Sequence, residues 1–164
     1  MKTITYEDFV SFNPCWLTDG ETRIKHAAQL SKYRAIRDEW SAIDILRLDD
    51  VNVEDRLWLV LREELIDAPI LHEFACRCAE RVLSRIDKPD ERSVAAIEAK
   101  RKWLRGEISD DEMDAARDAA RDAARDAAWY AARDAARGAA WAAARGAERE
   151  WQVAELMRML EEQE

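Results

Sequence analysis

The feature that most constrains this chain is a repeat of alanine and charged residues that extends from Met113 to Trp151. A four-residue unit of the type Asp-Ala-Ala-Arg recurs through most of this stretch. Alanine has the highest helix propensity, and arginine follows closely. Pairs such as Asp118 and Arg121 stand three residues apart with the acid first, which is the favourable order on a helix. The repeat therefore predicts a long α-helix.

The start of this helix is well signalled. Gly106 predicts the end of a preceding helix, and Ser109 with Glu112 forms a capping box that begins the next one. We therefore predict one helix from about Asp110 to about Leu160. Beyond the repeat, its apolar positions are Val153, Leu156, Met157 and Leu160.

The period of the repeat does not decide what packs against this helix. Residues four apart are separated by about 400°, so the alanine stripe turns by about 40° with each repeat. A period above 3.6 favours neighbours that wrap with a right-handed sense. A central post surrounded by shorter helices is favoured, because alanine allows close approach of backbones; a free-standing arm and an oligomer seam are the alternatives. Gly138 and Gly146 are the expected bend points.

The rest of the chain predicts shorter helices and no strand with period-two alternation. The expected fold class is all-α, a helical bundle around one long C-terminal helix, with residues 1–108 and 109–164 in the same domain. The predicted shorter segments are Tyr6 to Phe12 after a Thr5 cap, Thr22 to Asp38, a helical turn over Trp40 to Leu46, and helices that begin near Asn52, Asp67 and Asp90.

Apolar residues at helical spacing give the predicted core. The helix that begins near Asn52 has Leu57, Val60, Leu61 and Leu65. The helix that begins near Asp67 has Leu71, Phe74, Ala75, Cys78, Val82 and Ile86. The helix that begins near Asp90 has Val94, Ile97 and Leu104.

The charge is negative overall but unevenly placed. The net charge is −9, while the stretch from Asp114 to Glu150 holds seven acidic residues and seven arginines. The acidic excess therefore lies in the front two-thirds and at the end of the chain. General nucleic-acid binding needs a basic footprint and is not expected, whereas a basic protein partner is compatible with this charge.

No apolar run reaches the roughly 18 to 20 residues of a membrane span, and the first residues lack the apolar region of a signal peptide. The chain has three cysteines, and Cys76 and Cys78 are too close to form a typical structural disulfide. Reduced thiols in the cytoplasm are therefore expected.

Two groups of residues are candidates for metal binding or catalysis. His72 and Cys76 share a helix face, but Cys78 is turned away and no second ligand pair has zinc spacing. Glu63, Glu64, Glu73 and Glu80 are candidates for a carboxylate cluster, but helix surface charges are the favoured interpretation. No phosphate-binding loop, dinucleotide fingerprint or metalloprotease motif is present in the sequence. We expect no enzyme activity, metal or cofactor.

One row of the long helix carries a possible ligand site. Tryptophans replace arginine at two places in this row, and arginine beside aromatic faces suits anionic or planar ligands. The alternative is that the tryptophans anchor the core and the arginines pair with aspartates. The candidate ligand-binding residues are Trp129, Tyr130, Arg133, Arg137, Trp141 and Arg145.

From Trp40 onward the chain resembles a known family. The residues that carry the resemblance are Asp55-Arg-Leu-Trp58, His72 to Leu83, Asp90-Glu-Arg-Ser93, Arg105 to Ser109 and the alanine-rich tail. This order is similar to the immunity-protein-5-like putative immunity proteins of bacteria and their phages. The resemblance implies an all-helical, non-enzymatic protein that neutralises a cognate toxin.

Three functions follow from these observations. The first is a binding protein that blocks a toxin or effector by direct contact, for which the acidic front portion suits a basic partner. The second is a phage counter-defence protein that sequesters a small anionic signal, such as a cyclic nucleotide, at the aromatic and arginine row. The third is an assembly role for the long helix in a homo-oligomer.

Overall fold

The computed structural model describes residues 1–12, 14, 31–131 and 138–163 of the chain. Helices dominate these ranges, which confirms the predicted all-α class. The chain divides into two compact units, residues Met1–Ala68 with Leu160–Glu164 and residues Pro69–Met159. In the described part of the chain, no helix is long and apolar enough to cross a membrane.

The first unit combines a small sheet with short helices. Strands β1 and β2 pair antiparallel, with Ile4 opposite Trp40. Residues 31–36 are also helical. In chain order the other elements are β1 (Thr3–Thr5), α1 (Tyr6–Ser11), β2 (Glu39–Ser41), α2 (Ala42–Leu46) and α3 (Val53–Val60).

Each strand of this sheet leads directly into a capped helix. The Thr5 hydroxyl accepts a hydrogen bond from the Asp8 amide at 3.2 Å, and the Asp8 carboxylate accepts one from the Thr5 amide. Ser41 and Asp44 repeat the arrangement at the start of α2. Such capping boxes satisfy backbone donors that a helix start leaves free. The same residues therefore end the strands and begin the helices.

The expectation that no strand occurs was wrong for Thr3–Thr5 and Glu39–Ser41. The predicted helical turn over Trp40 to Leu46 accordingly begins later, at Ala42. A three-residue strand is too short to show alternation, and its hydrogen bonds depend on a partner far away in the sequence. Of the helix predicted from Thr22 to Asp38, the described part is helical over 31–36, and residues 22–30 lie outside the described residues.

The core of the first unit is formed by buried apolar residues, many of them from its short helices. Asn52 caps α3 as predicted, and Leu57, Val60 and Leu65 are buried. Leu61 is 43% exposed, contrary to the prediction, because α3 ends at Val60 and the backbone leaves the helical conformation at the next residue. The other buried apolar residues of this unit are Ile4, Phe9, Ala42, Ile43, Ile45, Leu46, Ile66 and Leu160.

In the described part of the second unit the helices are α4 (Ala68–Leu83), α5 (Glu91–Leu104), α6 (Asp110–Ala131) and α7 (Gly138–Glu161). The first residue of α4 and the last two residues of α7 belong to the first unit.

A tight connection joins α5 to α6. Gly106 has a φ of 71°, and its amide donates to the Trp103 carbonyl at 2.9 Å. The Glu107 amide donates to the Lys102 carbonyl at 2.9 Å, so α5 ends in a Schellman motif. The predicted capping box of Ser109 then begins α6. These signals, all predicted, place α6 against α5.

Among the described side chains of α6, those on one face of the helix are buried or half-buried. Ala123 is 3% exposed, and Ala116 and Ala120 are half-buried, whereas the charged positions face solvent. Arg121 donates to the Asp118 carboxylate at 3.0 Å, which confirms one of the predicted pairs. Small residues thus contact the neighbouring helix while charges remain hydrated.

The predicted long helix is helical on both sides of residues 132–137, which lie outside the described residues. Gly138 is the first residue of α7, and the helix continues through Gly146. Among the predicted apolar positions at its end, Val153, Leu156 and Leu160 are buried, but Met159 is buried in place of the half-exposed Met157.

The predicted core stripe of α4 was partly wrong. Phe74 is buried as predicted, but Cys76 is the second buried residue of this helix, and Ala75 is exposed. Val82, in the last turn of α4, is 51% exposed, and Ile86, which lies beyond the end of α4 at Leu83, is 46% exposed.

Candidate functional site

The predicted row of aromatic and arginine residues falls mostly outside the described residues. Trp129, Tyr130 and Trp141 belong to described helices, but their side chains are outside the described part. Arg133 and Arg137 are outside it entirely, and Arg145 is exposed on α7. The candidate set therefore stays a prediction.

A network of arginines and carboxylates instead joins the helices of the second unit. Glu73 and Glu80 are two helical turns apart on α4, so both carboxylates reach Arg101 of α5. The Arg101 guanidinium donates to Glu73 through Nε and Nη2, both at 3.0 Å. It also contacts both carboxylate oxygens of Glu80, with Nη2 donating at 2.9 Å. One planar cation thereby bridges two carboxylates in the bidentate geometry that arginine favours.

The network continues to α7 through Glu155. Its carboxylate accepts hydrogen bonds from Arg77 of α4 at 2.6 Å and from Arg158 of α7 at 2.7 Å. Further along, Glu148 accepts from Arg81 at 3.0 Å. The Arg81 guanidinium lies 4.2 Å from the ring centroid of Trp151, in cation–π geometry. These contacts hold α4 and α7 together by charge.

Hydrogen bonds from these arginines lower the pKa of the carboxylates. The Arg101 guanidinium lowers the pKa of Glu73 and of Glu80. Arg158 and Arg77 lower the pKa of Glu155 to about 2. Among the described residues, every carboxyl group with a shifted pKa has it shifted downward. These groups are anions at neutral pH, whereas a general acid requires a raised pKa.

The pKa of Glu155 predicts a pH-dependent contribution to stability. Its pKa falls from an ordinary value of 4.5 to about 2 on folding, so its stabilisation is complete above about pH 4.5 and is lost as the pH falls through about 2. We expect Glu155→Gln to lower the free energy of unfolding by about 1.5 kcal/mol at pH 7. Urea unfolding at several pH values measures the difference, and a deficit that persists undiminished to pH 2 contradicts this assignment.

The cysteines and His72 do not form a reactive arrangement in the described part of the chain. Burial raises the pKa of Cys76, and burial with Glu148 nearby raises the pKa of Cys78 to about 11. Both groups are thiols at neutral pH, and the thiolate is the nucleophilic form. The His72 ring packs edge-on against Trp103, with 6.1 Å between centroids. Among the described residues, no group of three or more potential ligands could hold a metal ion.

A surface groove between α4 and α5 is a candidate site for binding a protein. It has a volume of about 280 Å³, and Val94 is 47% exposed within it. Glu80 and Glu98 add negative charge to its rim, and Arg101 of the network also lines it. We name this feature the α4–α5 groove, lined by Glu80, Leu83, Ser84, Pro89, Val94, Ile97, Glu98 and Arg101.

The α4–α5 groove has no signal of its own in the sequence. Val94 and Ile97 were predicted as core residues on the basis of their helical spacing, and Pro89 only as part of a turn. Ile97 is half-buried, and Val94 is exposed. Spacing locates the apolar face of a helix but not how far a neighbouring helix covers it. A partly covered apolar face is visible only once the helices are packed.

Comparisons with known proteins agree with the resemblance seen in the sequence. A family model described as "Imm-5 like putative immunity protein" matches residues 67–150, which is about half of the chain. These residues include α4, α5, α6 and the α4–α5 groove. Comparisons with curated proteins and with solved structures gave no significant match. The chain belongs to the Imm-5 like putative immunity protein family.

Proposed function

We propose that this protein neutralises a toxin or effector protein by direct, non-enzymatic binding, and that the α4–α5 groove is its docking surface. The observation that carries the proposal is the position of this groove within the family match of residues 67–150. An immunity protein acts on a protein partner, and such a partner needs a surface where apolar side chains are accessible.

The groove specifies the chemistry of the partner. Protein interfaces place apolar side chains at the centre and polar groups at the rim. Here Val94, Ile97 and Leu83 supply apolar contact, and Glu98 supplies negative charge, whereas Arg101 compensates the charge of Glu80. We infer that the partner inserts an apolar side chain flanked by lysine or arginine. The net charge of −9 accelerates the approach of a basic partner.

Two observations support binding without catalysis. Glu73 and Glu155 are held as anions by hydrogen bonds from arginine, which lower their pKa values. Cys76 and Cys78 are free thiols with raised pKa values. Free thiols are also typical of the reducing cytoplasm, where we propose that the protein acts.

The proposal is tested by finding the partner and reconstituting the complex. The immobilised chain captures candidate proteins from cells that produce it, and each candidate is then purified. We expect native mass spectrometry of the two purified proteins to show a complex of fixed stoichiometry. Failure of every purified candidate to bind the chain directly contradicts the proposal.

A second candidate function is sequestration of a small anionic signal by the aromatic and arginine row of the long helix. The interleaving of Trp129 and Trp141 with Arg133, Arg137 and Arg145 favours it, because stacking and charge together recognise nucleotides. Native mass spectrometry also tests this function, since a retained ligand adds mass that disappears on denaturation, and the subunit number is measured at the same time.

For this second function we expect Arg133→Ala or Trp141→Ala to abolish the binding of a co-purified anionic ligand, with helicity unchanged. Each substitution removes one element of the site, a cation or a stacking surface, and alanine retains helix propensity. Titration calorimetry measures the affinity, and circular dichroism measures the helicity. Unaltered binding in both variants contradicts this site.

A further inference from the structure

The first unit contains a cavity that is separate from the α4–α5 groove. Its volume is about 330 Å³, within the roughly 300–1,000 Å³ of small-molecule sites. Its walls come from the sheet, α1, helical residues 31–36, α2, α3 and the loop between α2 and α3. The described residues that line it lie between Ile4 and Leu59, outside the family match.

Aromatic and aliphatic side chains dominate the cavity walls. The rings of Tyr6, Phe9, Tyr33, Trp40 and Trp58 line it, together with aliphatic residues from α2, α3 and their connection. Such walls favour a ligand with an apolar body, because burying the apolar surface of both ligand and wall releases water.

One buried cation lines this apolar cavity. Arg56 of α3 is 8% exposed, and its Nη1 donates to the Leu46 carbonyl at 2.7 Å. Its Nε is buried without a hydrogen-bond partner. Within the described part of the chain, no carboxylate lies at ion-pair distance from this guanidinium. A buried charge without a counter-charge is costly, so a bound anion would stabilise this arginine.

Arg34, the other arginine that lines the cavity, is neither buried nor without a counter-charge. Arg34 has a 62% exposed side chain, donates to Glu7 at 3.2 Å and lies over the Tyr6 ring. Its charge is compensated and hydrated, so it needs no ligand. Arg56 is therefore the recognition group.

We propose that this cavity binds a small apolar carboxylic acid, with the carboxylate on Arg56 and the apolar body against the aromatic walls. A guanidinium N–H donates a charge-assisted hydrogen bond to a carboxylate oxygen, which is stronger than a bond between neutral groups. Asp50 and Asp55 also line the cavity and oppose a ligand with several negative charges, such as a phosphate. This proposal does not rest on the proposed docking surface, because the residues that line the cavity lie outside 67–150.

The test compares octanoate with octanol, two probes with the same tail and different head groups. Titration calorimetry on the full-length chain at pH 7.5 should show one octanoate site, with at least about tenfold weaker binding of octanol. Equal affinities for the two probes, or no binding of octanoate, would overturn the proposal.

Three variants locate the site. Arg56→Met should abolish the preference for octanoate over octanol, while the matched rim variant Arg34→Met should keep it. Val51→Trp should reduce octanoate binding at least tenfold, because the larger ring fills the cavity from a half-exposed loop position. Circular dichroism confirms folding, and the Val51 variant keeps the test decisive if Arg56→Met fails to fold. Retention of the octanoate preference by Arg56→Met, or of full affinity by Val51→Trp, would also overturn the proposal.

Discussion

Replacing Arg101 with methionine is expected to lower the free energy of unfolding by about 2–3 kcal/mol at pH 7. The substitution leaves the carboxylates of Glu73 and Glu80 without the cation that bridges them. Arg101 has a 24% exposed side chain, so solvent compensates only part of the loss. Urea unfolding followed by circular dichroism measures this difference.

The pH dependence of the stability difference tests this prediction. The pKa values of Glu73 and Glu80 are lowered in the folded protein, so the contribution of Arg101 is complete above their ordinary pKa values and is lost as the pH falls through the lowered ones. Arg121→Met is the control, because this arginine belongs to an exposed pair with Asp118 and should change stability by less than about 0.5 kcal/mol. Equal effects of the two substitutions at pH 7 contradict a structural role for the network.

Replacing Val94 with aspartate is expected to weaken binding of the partner protein by at least about a hundredfold. The substitution removes an apolar contact from the α4–α5 groove, and it places a carboxylate where the partner's apolar side chain would bury it without a counter-charge. Stability should change little, because Val94 is 47% exposed. Surface plasmon resonance with the purified partner measures the affinity.

A matched variant separates the groove from general surface charge. Ile36 is 57% exposed in the first unit and lies outside the groove. Ile36→Asp adds the same charge elsewhere and should leave the affinity within about threefold of wild type. If both variants bind equally well, the groove is not the docking surface.

The local signals of this chain predicted most of its helix ends. Asn52, Asp90, Gly106 and Ser109 act where the sequence indicated, because a helix cap depends only on residues within a few positions of the helix end. The alanine repeat likewise predicted the helical state on both sides of residues 132–137.

Features that depend on distant residues were not predictable in the same way. The strand Thr3–Thr5 forms because Glu39–Ser41 lies beside it. Arg101 was not identified as a bridge, because its carboxylates lie 21 and 28 residues earlier in the chain. The burial of Arg56 has no sequence signal, since arginine on a helix is ordinarily solvated. The groove and the cavity both result from packing.

The most direct test of the central claim is a titration of the partner's toxic activity with increasing amounts of the purified chain. Neutralisation by binding predicts that activity falls linearly and reaches zero at a fixed molar ratio, and that active toxin is recovered after denaturation of the complex and refolding. Persistence of full activity under saturating chain contradicts neutralisation. Loss of activity at a small fraction of one equivalent, with toxin that is cleaved or modified, contradicts the non-enzymatic mechanism.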